Sequence, residues 1–97
     1  MIQFNIYALD HTDKEGLSRR MAARPAHLEG VKQLRDNGNY VIGAALLDDA
    51  EKMIGSNMIV QFETELAFYD YLKTEPYVTG AVWANITVMK TRVAVIS

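Results

Sequence analysis

Met1 to Leu9, MIQFNIYAL, is the stretch that decides the fold. Ile2, Phe4, Ile6 and Ala8 alternate with Gln3, Asn5 and Tyr7, the two-residue period of a strand whose faces meet different surroundings. One face needs an apolar cover, and the next segment can supply it. Leu17 to Asn37 is rich in arginine, alanine and leucine, which favour helix. Leu17, Met21, Leu28, Val31 and Leu34 fall on one side at about 100° per residue. Thr12 or Asp13 is expected to cap this helix. Pro25 cannot donate to the carbonyl four residues back, so the helix is expected to kink or restart there. Asn37-Gly38-Asn39 stops it.

The rest of the chain continues the pattern. Tyr40 to Leu47 is an apolar strand, and Leu47 to Met53 a polar hairpin connection. Ile54 to Phe62 is the next strand. Thr64 is placed to cap a second helix, with Leu66, Phe68, Tyr69 and Leu72 on its apolar side. That helix ends before Pro76, because a residue preceding proline avoids the helical region. Val82 to Val95 reads as a long final strand. The order is βαββαβ, an α+β, ferredoxin-like pattern: an antiparallel sheet with both helices on one face.

The composition narrows the classes. The chain has 97 residues, 49% of them apolar, no cysteine and a formal net charge of −2. This supports one domain over residues 1–97. A chain of this size buries only about 60–65% of its unfolded surface, and it has no disulfide or cysteine–metal staple. No apolar run reaches the roughly 18 residues that cross a bilayer, and the N-terminus lacks a signal-peptide pattern. The expected address is cytoplasmic, with neither membrane nor nucleic acid as partner. If Ile2, Phe4 and Ile6 face the helices, then Gln3, Asn5 and Tyr7 face away. The matching outward set on the last strand is Trp83, Asn85, Thr87 and Met89. So mixed and charge-poor a face suits an interface or a pocket floor. Two copies are expected to pair through it as a homodimer, or as part of a higher oligomer.

Few residues can carry chemistry. Arg20, Arg24 and His27 are spaced four and three apart and form one helical row. Arg24 falls near the middle of the apolar stripe and His27 at its edge. Either an anion-handling arginine stands beside a histidine acid/base, or a snorkelling arginine stands beside a surface histidine. Pro76 presents Glu75 on a rigid turn, where it can pair with a histidine or stay solvated. Ser56, after Gly55, can donate a hydrogen bond into a pocket. Tyr7, Tyr77 and Trp83 can line an aromatic one. Gly43 and Gly55 lie in strand runs, where glycine permits close approach. His11 reads as a solvated loop residue. The His and acid spacing does not suit a metal, and no cofactor motif is present.

Several of these segments occur together in one family. Arg24-Pro25-Ala26-His27-Leu28, Gly43 leading to Leu46-Leu47-Asp48, Ile54-Gly55-Ser56, Glu75-Pro76-Tyr77-Val78 and Gly80-Ala81-Val82-Trp83 resemble, in that order, the YciI-related family. The resemblance covers roughly residues 1–92. It implies a subunit that dimerises through its sheets as a dimeric α/β barrel. It also implies an active site of Arg-x-x-His with an acid before Pro-Tyr, which falls here on Arg24, His27 and Glu75. The family's usual residue before Pro-Tyr is aspartate; Glu75 is one methylene longer. One member type is a dehydrochlorinase of a chlorinated hydroxyhydroquinone in aromatic degradation, and the related muconolactone isomerase shares the barrel. The implied activity is cofactor-independent proton transfer, a lyase or isomerase step on a small hydroxylated or chlorinated aromatic or a lactone. His27 and Glu75 would be catalytic, and Arg24, Ser56, Tyr77 and Tyr7 would bind substrate. The alternative is a non-catalytic small-molecule-binding or regulatory module on the same barrel.

Overall fold

The computed structural model describes residues 1–96. Its elements are β1 (Ile2–Asp10), α1 (Gly16–Asp36), β2 (Tyr40–Leu47), β3 (Met53–Phe62), α2 (Glu65–Leu72), α3 (Pro76–Thr79) and β4 (Trp83–Thr91). The strands form one antiparallel sheet in the order β2-β3-β1-β4. This is the ferredoxin-like α+β arrangement. The N-terminal strand sits in the middle of the sheet, which is why its strict alternation is so informative.

Phe4, Ile6 and Ala8 pair with Val60, Met58 and Ser56, and all six side chains are buried on the helix-bearing face. Phe68 of α2 stacks on Phe4 with ring centres 4.1 Å apart, and Leu34 of α1 with Tyr77 of α3 joins the same core. Thr64 caps α2 as expected, accepting the Ala67 N–H at 3.1 Å. On the opposite face, Asn57 donates to Asn5 at 2.7 Å and Gln3 to Gln61 at 3.2 Å. Neighbouring amides thus satisfy one another while the face stays free of charge. Gly55 is forced by close approach: a Cβ there would lie 2.4 Å from the Ala8 carbonyl oxygen.

Several expectations need correction. The first helix runs unbroken through Pro25, and neither Thr12 nor Asp13 caps it; its N-cap is Glu15, with no side-chain bond. Asp13 instead holds Arg19 at 2.5 Å. That link keeps its carboxyl near a pKa of about 2. The stripe of Leu17, Met21 and Leu28 is exposed, and α1 buries Gly16, Arg20, His27 and Leu34 instead. The helix turns this polar line inward because Arg20 and His27 find buried carboxylates there. The last strand stops at Thr91, and residues 92–96 carry no regular structure. Trp83 is not on the outward face. A register shift between Leu9 and Asp10 sets it opposite Asp10, and its side chain is buried. The bulge reverses the parity that plain alternation assigns. No helix among the described residues is long and apolar enough to cross a membrane.

Candidate active site

The site grows from two buried polar pairs, each joining α1 to another element. The first belongs to Arg20. It is only 2% exposed, and its Nη1 donates to both oxygens of Asp10, at 3.0 and 3.1 Å. Asp10 ends β1 in the inward phase of Phe4, Ile6 and Ala8, so its carboxylate points into the protein and needs a cation. Nη2 of Arg20 donates to Ser56 Oγ at 2.9 Å, and the guanidinium lies 4.7 Å from the centre of the Tyr77 ring. Burial pushes the Asp10 carboxyl above its ordinary pKa, against the pull of Arg20.

The second pair is His27 with Glu75. His27 Nδ1 and Glu75 Oε1 are 2.7 Å apart, and Glu75 is 2% exposed. Local chemistry fixes the carboxylate. Pro76 opens the single turn of α3, and Glu75 caps it by accepting the Tyr77 N–H at 3.1 Å. The other oxygen, Oε2, accepts from the Tyr71 hydroxyl at 3.0 Å. Burial first, and the Glu75 charge second, push the Tyr71 hydroxyl above its ordinary range, which keeps it a donor at neutral pH. The extra methylene of glutamate therefore spans from a helix cap to a histidine ring. That ring also stacks on Tyr77, centres 4.0 Å apart. In a neutral ring, a carboxylate acceptor at Nδ1 favours the tautomer with its proton there.

The basic member of each pair borders a cavity of about 170 Å³ lined by Arg20, Arg24, His27, Ser56, Tyr77 and Tyr40, among others. The size matches a cavity that holds one benzene ring, ~150 Å³. Gly43 leaves room at its floor: a Cβ there would come within 2.7 Å of the Tyr40 hydroxyl oxygen. Arg24 is half-buried at the cavity wall and makes no ion pair among the described residues. Tyr7 stands apart. It is 44% exposed and out of phase with the inward residues of β1, so it faces away from the cavity. His11 is exposed. Among the described residues, no three His, Asp or Glu side chains gather as a metal site.

Two contributors, Asp10 and Tyr71, escaped the sequence reading, and two that it named, Arg20 and Trp83, lie deeper than it placed them. Asp10 carried a signal, since its strand parity points inward. Tyr71 carried a weaker one, four residues before Glu75. Arg20 was placed in the right row, but its burial needed the position of Asp10, and Trp83 needed the bulge.

The YCII-related domain matches this chain over residues 4–92. The chain belongs to that family. It is 32% identical over 89 residues to Protein YciI of Escherichia coli O6:H1, covering 86% of this chain and 89% of that protein. An uncharacterised Haemophilus influenzae protein is 32% identical over 78 residues, 74% of this chain and 80% of its own. Among solved structures, the 5-chloro-2-hydroxyhydroquinone dehydrochlorinase of Burkholderia phenoliruptrix AC1100, bound to 2,5-dihydroxybenzoquinone, superposes with a TM-score of 0.80. It is 22% identical and covered to 93% on both sides. A dimeric ferredoxin-like protein of unknown function from Jannaschia sp. CCS1 gives 0.55 at 15% identity, covering 96% of this chain and all (100%) of that one. At these identities the two structures speak for the shared fold.

At neutral pH, Asp10→Asn leaves Arg20 buried without a counter-charge and is expected to cost about 3–5 kcal/mol in urea unfolding. The double variant Asp10→Leu/Arg20→Met should lose less than either single change. Strict additivity would contradict the coupling.

Proposed function

We propose that this protein is a cofactor-independent proton-transfer enzyme, a lyase of the dehydrochlorinase type or an isomerase. Its substrate would be a small hydroxylated aromatic, chlorinated ones included, or a lactone. The observation that carries the reading is the 2.7 Å contact of His27 Nδ1 with buried Glu75, beside a cavity of one-ring size. His27 Nε2 takes a proton from a hydroxyl or ring carbon of the substrate. The electron pair left behind moves into the ring. In the lyase step a proton returns to the carbon that bears chlorine, and chloride then leaves that carbon with its bonding pair as a second hydroxyl proton is lost; in the isomerase step a proton returns at another carbon and nothing departs. Neither outcome requires an external oxidant. Glu75 holds the ring in place and balances the imidazolium that forms. Arg24 supports the negative charge that develops on the substrate. Tyr77, stacked on His27, walls the site. The likeness to the dehydrochlorinase supports the fold on which such chemistry can be built.

The test is direct incubation with a chlorinated polyhydroxybenzene, following its absorbance and the release of chloride. Turnover is expected for the wild type, and His27→Ala should lower kcat/KM by on the order of 10²–10⁴ with an unchanged circular dichroism spectrum. Full activity in that variant would overturn the assignment.

The assembly proposed for this site is a homodimer joined through the outward sheet faces. On that face Gln3, Asn5, Tyr7, Asn57, Ile59, Thr87 and Met89 provide a surface with no charged side chain. Sedimentation should give the mass of two chains, and Ile59→Lys should give that of one, because it buries a lysine without a partner. A dimer that withstands Ile59→Lys would exclude this face.

A further inference from the structure

Ser56 has an unusual hydrogen-bonding position. Its oxygen accepts from two donors, Arg20 Nη2 at 2.9 Å and Trp83 Nε1 at 3.3 Å. A serine hydroxyl offers two lone pairs and one proton. Both lone pairs are therefore engaged, and neither donor can reverse its role, because a guanidinium and an indole N–H never accept. Only the Ser56 proton is left to bond, and no protein acceptor takes it among the described residues. Ser56 is 3% exposed and lines the cavity. A buried donor without a partner costs about 1–3 kcal/mol, which a ligand in this cavity can relieve.

The charges around the cavity indicate what kind of ligand that is. Arg20 and Arg24 line it, and no carboxylate does. Asp10 lies behind Arg20, and Glu75 behind His27. The Nε of Arg20 is buried with no hydrogen-bond partner of its own, so Asp10 does not exhaust the donors of this guanidinium. We infer that Ser56 donates to an ionised oxygen of the ligand, so that the cavity takes its substrate as a phenolate or enolate rather than as the neutral compound. This rests on the proton-transfer reading and adds a division of labour. His27 receives a further proton, from another hydroxyl or a ring carbon, while Ser56, oriented by Arg20 and Trp83, holds the oxygen that is already ionised. A hydrogen bond from a locked donor to a charged oxygen is among the stronger ones available in a protein.

Two chromophoric probes separate the possibilities: 4-nitrophenol, which ionises, and its methyl ether 4-nitroanisole, which cannot. Both are titrated into the protein at a pH where the free phenol is largely ionised, and binding is read by difference absorbance. The wild type should bind 4-nitrophenolate about tenfold or more tightly than 4-nitroanisole. Ser56→Ala should lose most of that preference and bind the ether as before, and Ser56→Thr, which keeps the hydroxyl, should recover it. The inference is overturned if the wild type does not prefer the phenolate, including the case where it binds neither probe. It is also overturned if Ser56→Ala keeps the preference. Wild-type turnover by His27→Ala would defeat the proton-transfer reading but would leave these binding results standing.

Discussion

Arg20 and Asp10 sit within 3.1 Å of each other, both nearly out of reach of water. Neither charge is tolerable there without the other. That constraint sets the roll of α1 about its axis. With Arg20 turned toward β1, His27 lies on the same line of the helix seven residues on, two turns along, and meets Glu75. Leu17, Met21 and Leu28 are then left outside. A stripe of three large apolar side chains would ordinarily win the inward position. Here two charge-bearing pairs and the stacking of Tyr77 between them decide otherwise.

The same arrangement links stability to chemistry. Tyr77 touches both pairs, lying flat on His27 and under Arg20. Its own backbone N–H holds Glu75. One short helix of four residues, Pro76–Thr79, thus fixes the carboxylate, the wall of the cavity and the packing of α1. Proline at its first position keeps that turn preformed, so little ordering is left to be done when a ligand enters.

Most of the fold was legible because the sheet is amphipathic in a simple way. Tyr40–Leu47 was read with its bounds as they stand, and β1 was in phase from its first residues. Glu75 stood out because proline follows it, and His27 because it lies in a row with arginines. What the sequence hid depends on contacts between distant segments. The inward face of α1 is set by Asp10, ten residues before Arg20, and by Glu75, 48 residues after His27. Hydrophobic spacing alone favoured the wrong side of the helix. The bulge at Leu9 and Asp10 moved Trp83 from one sheet face to the other, which alternation cannot register. A helix of one turn carries too few residues to show a period.

The central claim is that Glu75 fixes His27 with its proton on Nδ1 and leaves Nε2 bare toward the cavity. Long-range ¹H–¹⁵N correlation spectra of the protein, labelled at histidine nitrogens and recorded where His27 is neutral, report this directly. The account predicts the Nδ1–H tautomer for His27, and a shift of its populations in Glu75→Ala. A dominant Nε2–H tautomer in the wild type, or a spectrum indifferent to Glu75, would contradict it.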